Sequence, residues 1–124
     1  MRITCGTDII EIERIKESIE NLNEAFITKI YTKKEIEYCE SKKNAKYQHY
    51  AVRFAAKEAI FKAISPILEN KFEISWQNTE IINDEYGRPH INFINFEANK
   101  IENIDISLSH CKKYATANVI ILFK

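Results

Sequence analysis

The chain has 124 residues, of which 45% are hydrophobic and 29% are charged, so it is long enough to form one domain with a hydrophobic core. Lysine plus arginine and aspartate plus glutamate number 18 each, and this balance argues against binding of nucleic acid through overall charge. The apolar runs are far too short to span a bilayer, which argues against a membrane protein. We therefore expect a single domain over residues 1–124.

The cysteines also bear on the class of protein. Cys5, Cys39 and Cys111 lie far apart, and no pair has the spacing of a zinc site. An odd number of cysteines, in a chain that starts with a strand pattern rather than a signal peptide, predicts a protein of the reducing cytoplasm.

The first half of the chain is predicted to be one strand followed by helices. In chain order these are a strand over residues 2–12, helices over 13–20, 23–31 and 32–40, and a long helix over 45–64. Thr32 and Glu35 have the capping-box spacing that opens a helix. Ser65 precedes Pro66 and should end the long helix, because proline disfavours helical geometry in the residue before it.

The second half is predicted to be mostly strands. Alternation predicts strands over residues 72–76, 104–110 and 114–123, a hairpin around 81–93, and a helical turn or two over 96–101. Five alternate residues of the last strand form one apolar face: Ala115, Ala117, Val119, Ile121 and Phe123. Helices first and antiparallel strands later indicate the α+β class.

Glu58 is the most informative residue of the long helix. On an ideal helix it lies within about 40° of Tyr47, Ala51 and Phe54. A carboxylate on an apolar face is costly unless a cation meets it, so Glu58 should pair with Lys62, one turn later, or with a bound metal ion. The pair with Lys62 would be worth only a few tenths of a kcal/mol on an exposed helix.

Asp8 is a second acid that needs a partner. Alternation along the first strand places it on the same face as Ile10 and Ile12, although it could instead end the strand and cap a helix. Asp8 and Glu58 would together supply two carboxylates, and Mg²⁺ prefers one or two of these with water and phosphate oxygens. The two acids therefore predict a magnesium site and the transfer of a phosphoryl-linked group, provided that strand and helix pack together.

Nearby cations fit a phosphate. Lys62 could neutralise phosphate charge beside the metal, and Arg53 adds a forked cation that suits the same group. His110 ends a strand, where it could bind phosphate, move a proton or simply pack. The only two glycines of the chain lie far apart, which excludes a glycine-rich phosphate loop.

Basic residues are concentrated in the first third of the chain, at Arg14, Lys16, Lys29, Lys33 and Lys34. They could steer an acidic protein partner, or they could form only a solvated helical surface.

Three segments resemble, in the same order, the motifs of the holo-[acyl-carrier-protein] synthase family of 4′-phosphopantetheinyl transferases. These segments are Gly6–Ile15, Arg53–Ala59 followed by Lys62, and Ile106–His110. The similarity extends over nearly the whole chain. It implies an antiparallel sheet packed against a long central helix, and a homotrimer with active sites between subunits.

The resemblance also implies a reaction. Members of the family move the 4′-phosphopantetheine group of coenzyme A to a serine of apo-acyl carrier protein for fatty acid synthesis, with Mg²⁺, and release adenosine 3′,5′-bisphosphate. Asp8 and Glu58 match the metal-binding acids, and Lys62 matches the lysine near the transferred phosphate. The substrate-contacting positions of the family correspond to Arg53 and His110 for coenzyme A and to Arg14 for the carrier protein.

Two departures and two alternatives accompany this resemblance. The family usually has a glycine after the long helix, where this chain reads Ala63-Ile64-Ser65-Pro66, and the helix that receives the carrier is less basic than usual. One alternative is an enzyme of the same fold that modifies a carrier of polyketide or peptide synthesis. The other is a non-enzymatic module that binds an acidic protein, with Asp8 and Glu58 in structural pairs.

Overall fold

One strand and then helices make up the first half of the chain, and antiparallel strands make up most of the second, so the predicted α+β class is confirmed. The computed structural model describes all residues, 1–124. Its elements are β1 (Arg2–Glu11), α1 (Ile12–Leu22), α2 (Glu24–Ile30), α3 (Lys33–Glu40), α4 (Lys46–Ile64), β2 (Thr79–Asn83), β3 (Pro89–Phe93), β4 (Ile101–His110) and β5 (Tyr114–Phe123).

The main sheet has three antiparallel strands in the order β1-β5-β4. Gly6 and Ile106 both lie opposite Val119, on either side of the central strand. β2 and β3 form a separate two-stranded hairpin, as predicted. The predicted apolar face of β5 is confirmed, because its five alternate residues are all buried. This alternation gives the sheet one face for the core and one face that is open.

The long helix α4 packs across the buried face of the sheet, which confirms the predicted arrangement. Its core positions include Ala55, Ala59 and Ala63, whose small side chains let the strands approach closely. The Thr4 hydroxyl donates a hydrogen bond of 2.6 Å to the Ala63 carbonyl. A helix that is apolar nearly all round is a buried helix. None of the helices combines the length and the apolar composition that crossing a bilayer requires.

Gly6 marks the closest approach of β1 to α4, and Gly6→Ala tests that approach. A Cβ atom added at Gly6 would lie 2.0 Å from the Ala59 carbonyl oxygen and 3.0 Å from the Ala63 nitrogen. Backbone atoms cannot turn aside, so we expect the variant to lower the free energy of unfolding by about 3 kcal/mol in urea denaturation. Thr7→Ala, on the opposite face of the strand, should change it by less than about 0.5 kcal/mol. Wild-type stability of the Gly6 variant would contradict this packing.

The strand predicted over residues 72–76 is wrong. The chain forms two single 3₁₀ turns there, Lys71–Glu73 and Trp76–Asn78. The Asn70 side chain accepts a hydrogen bond from the backbone of Phe72, and the Asn78 side chain accepts one from the backbone of Ser75. These local bonds occupy the backbone groups that a strand ladder would need.

The helical turns predicted over residues 96–101 are also absent. Bends and one turn occupy this segment, and β4 begins at Ile101. The Phe96 ring packs against the Phe93 ring, with 5.6 Å between the centroids. The apolar pattern therefore reports core packing, and the segment is too short to offset the cost of starting a helix.

The predicted capping box at the start of α3 is confirmed, and its glutamate has a second role. The Glu35 carboxylate accepts from the Thr32 backbone nitrogen at 2.9 Å and from the Ile81 backbone nitrogen at 2.9 Å. It also lies 2.9 Å from the Lys57 ammonium, and both side chains are fully buried. Lys57 further donates to the carbonyls of Trp76 and Thr79. This ion pair connects α3, α4 and β2.

Candidate active site

One cleft brings together Asp8 from β1, Arg14 from α1, and Glu58 and Lys62 from α4. Its volume is about 440 Å³. The other residues that line it are Ile9, Ile10, Glu11, Phe54 and Tyr114. Four of the six site residues predicted from the sequence thus share one cavity, although they are separated by up to 54 positions.

Asp8 reaches the cleft because β1 alternates and α4 covers the face on which Asp8 lies. The Lys62 ammonium is 3.3 Å from an Asp8 carboxylate oxygen and donates to the Thr7 carbonyl at 2.9 Å. Lys62 therefore pairs with Asp8, and the alternative pair of Lys62 with Glu58 is not formed. Asp8 also does not cap a helix, since Glu11 occupies the N-cap of α1 and its side chain makes no capping bond.

Glu58 has no salt bridge, and its environment disfavours its charge. Burial raises the pKa of the Glu58 carboxyl, the negative charge of Asp8 raises it further, and only the Lys62 charge lowers it. Two neighbouring carboxylates with one lysine leave an excess of negative charge in a partly dry cleft. A divalent cation would relieve this repulsion.

The donor set fits Mg²⁺. The structure contains no group of three or more histidine, cysteine or acidic side chains that could hold a metal. Asp8 and Glu58 alone would be the protein ligands, and their hard oxygens would leave the other coordination positions to water and substrate. Mg²⁺ accepts this arrangement, whereas structural Zn²⁺ requires four protein ligands.

Two aromatic residues of the cleft were not assigned to the site from the sequence. Phe54 stacks on Trp76, with 5.0 Å between the ring centroids, and more loosely on Phe26 at 6.4 Å. The helical proximity of Phe54 to Glu58 was the available signal. Tyr114 begins β5 directly after a turn, and no local pattern marks it. These rings form the apolar part of the cleft wall beside the acids.

Arg53 and His110 do not reach this cleft. The Arg53 side chain is 2% exposed, its guanidinium lies 4.2 Å above the Tyr38 ring, and its Nε atom has no hydrogen-bond partner. The His110 ring lies 6.1 Å from the His49 ring, which stands edge-on to Tyr38. Tyr38, His49, Arg53 and His110 thus form a second group, the Tyr38 cluster.

The Tyr38 cluster has unbalanced positive charge. Burial and the charges of Arg53, Lys42 and His110 lower the pKa of His49 to about 4, and no acid opposes them. Arg53 makes no salt bridge; its charged group donates instead to the Asn83 side chain. A buried guanidinium without an acidic partner suits an anion. No local pattern marks His49, because its contact with His110 joins α4 to β4.

The chain is similar to known proteins over nearly its whole length. The family model of the 4′-phosphopantetheinyl transferase superfamily matches residues 4–119. The holo-[acyl-carrier-protein] synthase of Ruminiclostridium cellulolyticum is 43% identical, over 98% of this chain and 92% of its own. That of Fusobacterium nucleatum is 45% identical, over 98% and 100%. The crystal structure of a holo-(acyl-carrier-protein) synthase from Bacillus anthracis in complex with CoA (3′,5′-ADP) matches with a TM-score of 0.80 and 30% identity, over 98% and 96%.

The chain therefore belongs to the 4′-phosphopantetheinyl transferase superfamily. Within that superfamily, these relatives identify it as an enzyme of the holo-[acyl-carrier-protein] synthase type. The family predicted from the three sequence motifs is confirmed.

Proposed function

We propose that the chain transfers the 4′-phosphopantetheine group of coenzyme A to a serine of apo-acyl carrier protein in a Mg²⁺-dependent reaction. Adenosine 3′,5′-bisphosphate is the other product, and the reaction supports fatty acid biosynthesis in the cytoplasm. The convergence of Asp8, Glu58, Lys62 and Arg14 in one cleft carries this proposal. The three free cysteines agree with a reducing compartment.

Asp8 and Glu58 are the proposed metal ligands and Lys62 is the proposed phosphate contact. Mg²⁺ held by the two acids would neutralise the diphosphate of coenzyme A. Lys62 is half-exposed beside Asp8, so its ammonium can also offset charge on the leaving phosphate. The serine hydroxyl gives its proton to a base, and its oxygen forms a new bond to the phosphorus that bears the pantetheine. The bond from this phosphorus to the bridging oxygen breaks, and that oxygen leaves with adenosine 3′,5′-bisphosphate. Phe54 and Tyr114 supply the apolar surface of the cleft beside the acids.

Arg14 is the proposed contact for the carrier protein. It lies on the exposed face of α1 and lines the same cleft as the acids. A cation at this position would attract an acidic carrier and orient its serine toward the phosphate. Lys16 is the other cation of this helix, which also carries Glu13, Glu17 and Glu20.

Arg53 and His110 are proposed to contact coenzyme A from a neighbouring protomer. Arg53 and Glu58 are five positions apart on α4, which separates them by about 140° around the helix axis. One protomer therefore presents the acid cleft and the Tyr38 cluster on different faces. Assembly of three protomers would place the acid cleft of one protomer beside the Tyr38 cluster of the next, whose positive charge suits an anion.

The open face of the main sheet is the proposed trimer contact. Ile3 is 65% exposed, Ile9 64% and Ile120 51%, and all three lie on this face. We expect Ile120→Asp to sediment as a smaller species than the wild type in analytical ultracentrifugation, and to lose at least about tenfold in transfer rate. Leu22→Asp, an exposed position at the end of α1, should assemble normally. An Ile120 variant that remains trimeric would refute this interface.

Intact-mass spectrometry of the carrier tests the proposed reaction. After incubation with the protein, coenzyme A and Mg²⁺, an apo-acyl carrier protein should gain the mass of one 4′-phosphopantetheine group, and EDTA should prevent the gain. Carriers of polyketide and peptide synthesis, assayed in parallel, test the alternative substrates. If no carrier gains mass and coenzyme A does not bind, the chain is better explained as a module that binds an acidic protein.

A further inference from the structure

Glu11 is a third carboxylate of the acid cleft, and the reaction described so far gives it no role. It lines the cleft together with Asp8 and Glu58. Although it stands at the N-cap of α1, its side chain makes no capping bond and no salt bridge. The pair with Arg14 that a spacing of three residues would permit is therefore not formed. The Glu11 carboxylate is free to accept a proton from a group that enters the cleft.

Glu11 lies too far from the other two acids to bind the same metal ion. No three histidine, cysteine or acidic side chains of the chain are close enough together to hold one ion. Asp8 and Glu11 are three positions apart on β1, and three residues of an extended strand span about 10 Å. This separation leaves room for a phosphate and an attacking hydroxyl between the metal-binding acids and Glu11.

The sheet fixes the position of Glu11 at the mouth of the cleft. Glu11 is paired with Tyr114 of β5, and the Ile12 backbone nitrogen donates to the Lys113 carbonyl at 2.8 Å. Residues opposite each other in a sheet share a face, so Tyr114 stands beside Glu11 in the cleft wall. β1 is an edge strand, and side chains from both of its faces therefore border the cleft, Asp8 from one face and Glu11 from the other.

We propose that Glu11 is the general base that accepts the proton of the carrier serine, an assignment that rests on the proposed function. Arg14, the proposed carrier contact, lies three positions beyond Glu11 and lines the same cleft, so a carrier bound at Arg14 presents its serine beside Glu11. Asp8 and Glu58 are poorer bases, because a carboxylate that binds a metal shares the electron pair that would take the proton.

The proton balance of this step is complete. The serine hydroxyl gives its proton to the Glu11 carboxylate while its oxygen bonds to the phosphorus that bears the pantetheine. The oxygen that bridged the two phosphates takes the electron pair of the broken bond and leaves with adenosine 3′,5′-bisphosphate. Glu11 is exposed, so it then returns its proton to water and is ready for the next carrier.

Chemical rescue tests the assignment. With coenzyme A and Mg²⁺, Glu11→Gln and Glu11→Ala should each lower kcat for transfer to an acyl carrier protein by on the order of 10²-fold. The KM for the carrier should stay within about twofold of the wild-type value. Added acetate should raise the rate of Glu11→Ala by at least about tenfold, because a small carboxylate fits the vacated space and replaces the base. It should not raise the rate of the wild type or of Glu11→Gln, in which that space is filled.

Glu13→Ala is the matched control. Glu13 is an exposed acid in the first turn of the same helix, and it does not line the cleft. This variant should transfer at the wild-type rate with and without acetate. A general effect of negative charge at the start of α1 would instead slow the Glu13 and Glu11 variants alike.

Binding and stability measurements separate a base from other roles. Glu11→Gln should keep the wild-type affinity for coenzyme A with Mg²⁺ in calorimetry and the wild-type urea midpoint of unfolding. A loss of that affinity would place Glu11 in the metal or phosphate site, a change confined to the KM for the carrier would make it a carrier contact, and a lowered midpoint in both variants would make it structural. Each of these results overturns the assignment.

Two kinetic results also overturn it. One is a wild-type kcat in Glu11→Gln, and the other is a rate of Glu11→Ala that acetate does not raise. Failure of the proposed function looks different, because the wild-type chain itself would then modify no carrier. A wild type that transfers the group while its Glu11 variants behave normally retains the proposed reaction and rejects only the base.

Discussion

Replacement of Glu58 by glutamine is expected to slow transfer to the carrier protein by on the order of 10³-fold, because a neutral amide cannot hold the metal as a carboxylate does. The fold should persist. The folded state raises the pKa of Glu58, so its ionised form is less favourable in the folded protein than in the unfolded chain. The charged Glu58 carboxylate therefore lowers the free energy of unfolding at pH values above the pKa that Glu58 has in the unfolded chain. The neutral glutamine removes this cost. Rates come from intact-mass spectrometry of the carrier, and stability from urea denaturation.

Glu97→Gln is the matched control, since Glu97 is exposed and makes neither a salt bridge nor a side-chain hydrogen bond. It should transfer at the wild-type rate. Full activity of the Glu58 variant would remove this residue from the mechanism. Loss of activity together with loss of the folded structure would show that the carboxylate is structural.

Lys57→Met is expected to cause the largest loss of stability, about 3–5 kcal/mol in the free energy of unfolding. The substitution leaves the Glu35 carboxylate fully buried and without a cation. Burial is the main cause of the lowered pKa of Lys57, and the Glu35 charge only partly opposes it. The pair is therefore costly to bury, and it is more costly still when one member is missing. Urea denaturation measures the loss.

A second substitution separates charge from packing. Lys57→Met combined with Glu35→Gln removes both charges, and it should be about 1–2 kcal/mol more stable than Lys57→Met alone. Lys100→Met, on the surface, should change stability by less than about 0.5 kcal/mol. If Lys57→Met has the same urea midpoint of unfolding as the wild type, the buried pair does not hold α3, α4 and β2 together.

The sequence predicts the backbone of the site well because local geometry determines it. A period of two along β1 and a period of 3.6 along α4 are sufficient to direct Asp8 and Glu58 to the faces on which they lie. Gly6 and the alanines of α4 then let these faces meet. The same reasoning predicts the capping box of α3 and the apolar face of β5.

Which side chains pair with one another is less predictable, because pairing depends on contacts between segments that are distant in the sequence. Helical spacing suggested that Lys62 could pair with Glu58, but tertiary packing brings it to Asp8. The sequence indicated only that Arg53 could be a cation near phosphate. In the structure its side chain is buried and stacks on Tyr38. Residues 72–76 alternate like a strand, yet hydrogen bonds from nearby side chains fold this segment into turns.

The claim that Asp8 and Glu58 share one divalent ion is tested most directly by calorimetric titration of coenzyme A with and without Mg²⁺. The wild type should bind at least about tenfold more tightly with the metal. Asp8→Asn and Glu58→Gln should each abolish this gain, and the double variant should lose no more than either single variant, because a shared ion is lost only once. A common metal site would be contradicted if the loss of affinity in the double variant equalled the sum of the two single losses. It would also be contradicted if Mg²⁺ still increased the affinity for coenzyme A in either single variant.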